Sequence, residues 1–201
     1  MVLAAVPTVG RANLDADTTL SSGSGEAALR AAGAVCAAVA AAVEGKARHA
    51  FCAVRPPGHH ASASQSMGFC LFNNVAIAAR YAQARYGLKR IAIVDFDVHH
   101  GNGTEDIFSG DNSILMAGFF QHPFYPYCGT EFPAENMLNT PVDASTDGEV
   151  IRRIVNQSWL PAMQRFRPEL ILISAGFDAH RDDEMAQMCL TETDYADRKS
   201  T

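Results

Sequence analysis

The chain lacks most of what would tie it to a nucleic acid, a membrane or an oxidising compartment. Its 201 residues carry a formal net charge of −6 without a run of like charges, so bulk electrostatics favour neither nucleic acid nor an anionic membrane as a partner. No Cys-x-x-Cys pair occurs. The five cysteines, Cys36, Cys52, Cys70, Cys128 and Cys189, are odd in number and widely scattered, which argues against structural zinc or a redox couple and for a reduced, cytoplasmic setting. The N-terminus has no charged region, apolar stretch and cleavage site in series. The Ala-rich stretch 27–43 is interrupted by Arg30, Gly33 and Cys36 and reads as only weakly hydrophobic. Neither export nor membrane insertion is therefore expected. A Gly-x-Ser-x-Gly elbow, a phosphate-binding Gly-Lys-Ser/Thr loop and a Gly-x-Gly-x-x-Gly turn are also absent, which disfavours serine-hydrolase, nucleotide and dinucleotide schemes. No internal repeat, low-complexity tail or linker stands out, and a hydrophobic share of 48% over this length supplies one core. The reading is a single, partial domain over residues 1–201.

What is present is a recurring strand-and-helix plan. The opening, residues 1–25, is polar with Gly and Ser clustered at its end, and reads as irregular chain leading to a helix capped near Ser24 and running to about Glu44. Ala50-Phe51-Cys52-Ala53-Val54, closed by Pro56-Pro57-Gly58, has the length and punctuation of a buried strand that delivers His59 and His60. Asn74 to Tyr86 has helical spacing stopped by Gly87. Ile91 to Val94 is the continuous apolar run of a parallel strand covered on both faces, and it leads into Asp95. Further strands are expected from Ile114 and over Leu170–Ile173, with a helix from Val150 to Phe166 that Pro161 kinks. Strands alternating with helices predict a parallel α/β sheet, whose ligand sites lie beyond the carboxyl ends of the strands. Three strands are expected to end in histidine or aspartate there.

Asp95-Phe96-Asp97-Val98-His99-His100 sets carboxylates and imidazoles at the end of one such strand. Alternate residues of extended chain share a face, so Asp95, Asp97 and His99 can point together. Asp and His at that spacing suit zinc or a similar divalent ion, with Asp178 beyond another strand as the third ligand. The competing reading makes Asp95, Asp97 and Asp178 turn or cap residues and the histidines surface groups. His59 and His60, being adjacent, do not easily bind one metal together, but they can flank a water beside it. A carboxylate such as Asp95 behind His59 would then fix a tautomer. The alternative is two solvated loop histidines. Gly68 and Phe69 can line a narrow channel, or Phe69 and Phe72 can be ordinary core. Phe119 to Pro126, with Phe124 and Tyr125, can form the opposite wall or merely pack. Gly101-Asn102-Gly103-Thr104 reads as a tight turn.

Taken together, Arg55-Pro56-Pro57-Gly58-His59-His60, Gly68-Phe69-Cys70-Leu71-Phe72-Asn73-Asn74, Asp95 to Thr104 and Ser174-Ala175-Gly176-Phe177-Asp178-Ala179-His180 strongly resemble the histone deacetylase family, in particular its bacterial class II-like and acetylpolyamine-type amidohydrolases. The resemblance runs from about Leu14 to about Tyr195. It implies an α/β, arginase/deacetylase-type three-layer fold with a mainly parallel sheet, truncated at both ends, and zinc-dependent removal of acetyl groups from acetyl-lysine or a small acetylated amine. Carried over motif by motif, Asp97, His99 and Asp178 match the zinc ligands and His59 and His60 the proton-transfer pair. Asp95 matches the carboxylate behind His59, and Asn102 stands where some members place a carboxylate behind His60. Gly68 and Phe69 match the channel wall, with Tyr125 or Phe124 opposite. The family also binds potassium through backbone oxygens of Asp95, Asp97 and His99 and a hydroxyl from a neighbouring strand. Gly118 takes that hydroxyl's place and puts the potassium site in question.

Family members carry a Gly-Gly-Tyr segment after the Asp178 motif whose hydroxyl stabilises the oxyanion. The sequence ends before such a segment, and its last residues, Asp197-Arg198-Lys199-Ser200-Thr201, leave the family pattern. Two further readings follow, a metal-binding fragment with impaired turnover and a binuclear manganese ureohydrolase drawing on Asp182 and Asp183. Since an oxyanion donor is typically worth about 2.7–4 kcal/mol, the expectation is that these 201 residues alone hydrolyse acetyl-lysine poorly, and that turnover improves when a relative's C-terminal segment is appended.

Overall fold

A computed structural model describes residues 2–196; the departure expected at residues 197–201 lies outside the described residues. In chain order the elements are a 3-10 turn (Val2–Ala5), β1 (Arg11–Asn13), β2 (Thr19–Ser21), α1 (Ser24–Val43), α2 (Asn74–Tyr86), β3 (Ile91–Asp95), α3 (Asn102–Phe108), β4 (Ile114–Gln121), β5 (Met137–Val142), α4 (Gly148–Ile154), a π-helical segment (Val155–Trp159), α5 (Leu160–Phe166), β6 (Leu170–Ser174) and α6 (Glu192–Ala196). They fall into two compact units, one of residues 2–89 with Asn102–Ile107 and one of Arg90–Gly101 with residues 108–196.

In the first unit α1 packs on α2. The opening segment, expected to be irregular, forms the antiparallel β1–β2 pair with Asn13 opposite Thr19. The pair forms because Leu20 has a core to enter. Leu20, Ala28 and Leu71 are buried together, with Val2, Val6, Leu14 and Phe72 packed around them. The α1 cap is Gly23 rather than Ser24, since the Ser24 hydroxyl is taken by the Ser21 N–H at 2.8 Å. α1 is also more apolar than expected. An 18-residue window within it has a mean hydropathy of 1.6, and the helix is long and apolar enough to cross a membrane by length and composition alone, a test that a core helix of a globular domain also passes.

Residues 50–54 are not a strand. Phe51 is 76% exposed, and the Val54 N–H bonds locally to the Cys52 carbonyl at 3.0 Å instead of joining a ladder. An apolar run specifies extended chain only where an unpaired neighbour awaits it. His59 and His60 are therefore carried by a turn, and two strands, not three, deliver site residues. Gly101 to Thr104 is likewise no simple turn, because Asn102 opens α3.

α2 has its expected limits. Asn73 accepts the Ala76 N–H with its side-chain oxygen, and Gly87, at φ +70°, closes the helix in the left-handed conformation that glycine adopts without penalty. The Asn73 amide nitrogen donates to the Ala61 carbonyl at 3.0 Å and the Thr104 hydroxyl at 3.1 Å. One buried side chain thus ties α2, the histidine turn and α3 together.

The second unit is built on a parallel sheet in the order β5-β4-β3-β6. β4 is buried throughout and β3 nearly so; the unbroken apolar run of β3 predicted its burial, whereas for β4 only a strand starting at Ile114 was expected. β6 pairs with β3 in register, Asp95 opposite Ser174, while its Ile171 and Ile173 remain 53% and 57% exposed. β5 was not foreseen; Pro141 costs little there because β5 is an edge strand. Val98, Phe119, Trp159, Met188 and Leu190 form the core between the sheet and its helices. The expected kink occurs as the π-helical Val155–Trp159 segment just before Pro161, since a proline without an N–H cannot continue the α-helical ladder.

Asn73→Ala should destabilise the chain by about 2–4 kcal/mol, combining a lost cap with buried partners left unpaired. Asn73→Asp should recover only the cap. Urea denaturation of both variants checks this, and wild-type stability in the Asn73→Ala chain would count against the tie.

Candidate functional site

Asp97 and His99 follow β3, and Asp178 follows β6. Because those strands run parallel and in register, the segments leaving their carboxyl ends emerge side by side. One donor atom from each of the three residues lies within 4.8 Å of the others. The His99 Nδ1 sits 2.9 Å from Asp97 Oδ1 and 3.0 Å from Asp178 Oδ2. Backbone bonds set the carboxylates: the His99 N–H donates to Asp97 Oδ1 at 2.8 Å and the Val98 N–H to Asp178 Oδ1 at 3.0 Å. Gly176 is required beside them, since a Cβ there would collide with the Asp97 carboxylate.

Burial pulls the His99 pKa down, but its hydrogen bonds to Asp178 and Asp97 and their charges outweigh that, and it rises to about 9. Two partly buried carboxylates converging on one imidazole nitrogen make a site that demands positive charge. Without a metal, the Nδ1 proton meets that demand. Two oxygens and one nitrogen are the donor set of a catalytic zinc-type site with an open position, so the residues present fit the ion. Among the described residues no further His, Cys, Asp or Glu joins the group, and Asp182 and Asp183, the extra ligands a binuclear centre would need, are not in it.

Asp95, 2% exposed, accepts the Asp97 N–H at 3.2 Å and so steadies the turn that carries Asp97 and His99. Gly118 pairs with Asp95 across β3 and β4 and brings no hydroxyl to that position.

In the first unit, His59 and His60 are both buried, with ring centroids 4.0 Å apart. His60 Nδ1 lies 2.7 Å from Asn102 Oδ1, and the Asn102 amide nitrogen is directed to Met67 Sδ at 3.4 Å. With its oxygen turned to His60, Asn102 holds the proton on Nδ1 and leaves Nε2 basic. The His59 carbonyl accepts the Thr104 N–H at 3.1 Å, which fixes the turn. Gly68, at φ +55°, lies so close to the His60 ring that any Cβ would collide with it. Phe69 is 49% exposed and held at φ +64°, with its N–H bonded to the Thr18 hydroxyl at 3.2 Å. Phe72, by contrast, is packed into the core.

In the second unit Phe124 stacks on the His99 ring at 5.6 Å and 25°, and Tyr125 meets it edge-on at 6.0 Å and 77°. Sequence reasoning left these aromatics as a channel wall or as ordinary packing and missed their contact with His99. It also missed Asn73, Thr104 and Met67 as supports. Tyr195 packs against Phe96 and Phe177 with centroids 6.0 and 5.2 Å away. Burial and the carboxylates of Asp178 and Asp97 push its phenol pKa upward, so it stays protonated.

A sequence profile of the histone deacetylase domain matches residues 4–201. The chain belongs to the histone deacetylase family. It is 42% identical over 198 residues to the Type-2 histone deacetylase 2 of Dictyostelium discoideum, covering 89% of this chain and 12% of that protein. It is 38% identical to the histone deacetylase-like amidohydrolase of Pseudomonas aeruginosa, covering 92% of this chain and 51% of the relative. The solved HDA15 HD domain superposes with a TM-score of 0.88 at 36% identity, covering 92% of this chain and 57% of that one. The family's arginase/deacetylase α/β fold is therefore this chain's fold. The chain spans about half the length of the amidohydrolase.

The His99 proton makes the metal-free chain sensitive to alkali. A pKa raised from 6.5 to about 9 gives a stabilisation complete below pH 6.5 and lost as pH climbs through about 9. A divalent ion competes with that same proton, so metal affinity should rise over this window and level off above it. Thermal melts of chelator-treated chain from about pH 6 to 10, beside His99→Asn, test the first point. Identical profiles for the two would contradict it. Competition titrations with a chelating dye test the second.

Proposed function

We propose that the chain is the metal-binding part of a zinc-dependent amidohydrolase that removes acetyl groups from acetyl-lysine or a small acetylated amine, in a reduced, cytoplasmic setting. The observation that carries this reading is the Asp97–His99–Asp178 triad, whose oxygen and nitrogen donors converge in a chain of the histone deacetylase family. The relatives named deacetylases and amidohydrolase support the reaction class.

Asp97, His99 and Asp178 would hold a divalent ion, which would supply Lewis acidity to the amide carbonyl and to water. The rest falls to side chains of the chain. His60, with its Nδ1 proton held on Asn102, offers Nε2 to take a proton from the attacking water as the oxygen–carbon bond forms. When the carbon–nitrogen bond breaks, the His59–His60 pair returns that proton to the amine, and acetate and free amine are the products. Asn102 is neutral, so the pair is oriented without a buried negative charge behind His60, which leaves it able both to accept and to release the proton. Phe69, exposed at φ +64°, is suited to line the path of an extended acyl-lysine side chain.

One zinc per chain is expected, removed by Asp178→Ala and retained by His60→Ala. Turnover of an acetyl-lysine peptide should fall about 100-fold or more in His60→Ala, as expected for loss of a general acid–base group. Elemental analysis together with a coupled acetate assay checks both. Two manganese ions per chain, or full zinc in Asp178→Ala, would refute the reading.

A further inference from the structure

The loop from Gln121 to Glu131 is bound to the metal-ligand segment at several points within the second unit. At its start the Gln121 N–H donates to the Val98 carbonyl at 2.9 Å and the His122 N–H to the Val142 carbonyl at 2.8 Å. Near its end Cys128 Sγ lies 3.6 Å from His100 Nδ1. Gly129 sits so close to the His100 ring that a Cβ would stand 2.8 Å from it, and the Gly129 carbonyl accepts from the Asn139 amide at 3.2 Å. Between these anchors the Tyr127 N–H closes a turn on the Phe124 carbonyl at 2.7 Å. That turn presents Phe124 and Tyr125 to His99, one to the face of the imidazole and one edge-on.

An imidazole bonded to its chain through one Cβ can rotate about its last torsion, and only a narrow range aims Nδ1 between Asp97 and Asp178. Both carboxylates are held by backbone N–H groups, while the ring that faces them is held at Nδ1 by the carboxylates and is met on its face by Phe124 and edge-on by Tyr125. We propose that Phe124, assisted by Tyr125, is a positioning residue for His99 and thereby sets the affinity of the triad for its divalent ion. This rests on the reading of Asp97, His99 and Asp178 as metal ligands. It assigns Phe124 a role different from that of a channel wall, which would alter substrate binding and leave metal affinity untouched. Groups that orient a metal-binding histidine typically contribute about 10–100-fold in affinity, and a stacked ring does by contact what a carboxylate does by hydrogen bonding.

The test compares Zn²⁺ and Co²⁺ dissociation constants, from chelator competition, for the wild-type chain, Phe124→Leu, Phe124→Tyr and Asp178→Ala. The visible spectrum of the Co²⁺ form reports the ligand geometry. Phe124→Leu keeps an apolar side chain of similar reach but no ring face, and should weaken binding about 10-fold or more and change the Co²⁺ band intensities. Phe124→Tyr should restore both, and thermal melts of the metal-free variants should agree closely. Wild-type affinity and spectrum in Phe124→Leu, with binding lost in Asp178→Ala, would overturn the inference and leave the metal reading intact. A melt of metal-free Phe124→Leu shifted as far as its affinity, without rescue by Phe124→Tyr, would also overturn it, by showing a general packing role. No ion uptake by wild type, or full uptake by Asp178→Ala, would overturn the metal reading and the inference with it.

Discussion

Two aspartates brought together at the ends of adjacent parallel strands are the constraint around which the second unit is arranged. β3 and β6 pair in register up to Asp95 and Ser174, and the segments that follow bring Asp97 and Asp178 to within one donor distance of His99. Like charges this close are unfavourable in a partly buried setting unless a positive charge stands between them. The fold meets that condition by raising the His99 pKa, so that the imidazole carries the proton between the two carboxylates. The three donors are at once a place for a proton and the donor set that suits a divalent ion.

Close backbone approach serves both halves of the chemistry. In the second unit Gly176 leaves room for the Asp97 carboxylate, and in the first Gly68 leaves room for the His60 ring. Each stands inside a motif whose chemical residues are its neighbours, so the motif is a packing unit as much as a list of reactive groups. Polar side chains complete the support. Asn73 joins α2, the histidine turn and α3 through three hydrogen bonds, and Asn102, held by Met67, sets the His60 proton.

Much of this was legible in the sequence where local pattern and tertiary outcome coincide. β3 and α2 appear at their expected places because an unbroken apolar run suits a strand buried on both faces, and because Asn73 and Gly87 are good helix boundaries. The triad was legible because ligand-type residues stood directly after such strands. Residues 50–54 failed because a run such as Ala-Phe-Cys-Ala-Val is locally the same with or without a partner strand. β5 was hidden by Asn139 and Pro141, which depress strand propensity and are tolerated at a sheet edge. α3 was hidden by two glycines, which favour turns until Thr104 is buried and hydrogen-bonded to Asn73. The β1–β2 pair is too short to show a periodicity at all.

The contact of Phe124 with His99 belongs to a different class of illegible feature. The two residues are far apart along the chain, and neither propensity nor motif spacing reports a ring stacked on another ring. The wall reading, with ordinary packing as its alternative, came from an aromatic, proline-stiffened loop and from the family resemblance. What decides between a wall and a support is which atoms the ring covers. A phenyl face lies 25° from the plane of the His99 imidazole, the placement from which a ring could restrict the torsion that directs Nδ1, as proposed above. The loop holding it is fastened to Val98 and His100, the residues on either side of His99. Precision at a metal site comes from such restraint of the ligands before the ion arrives, because an ion that must first order its own imidazole binds more weakly by the entropy of that ordering.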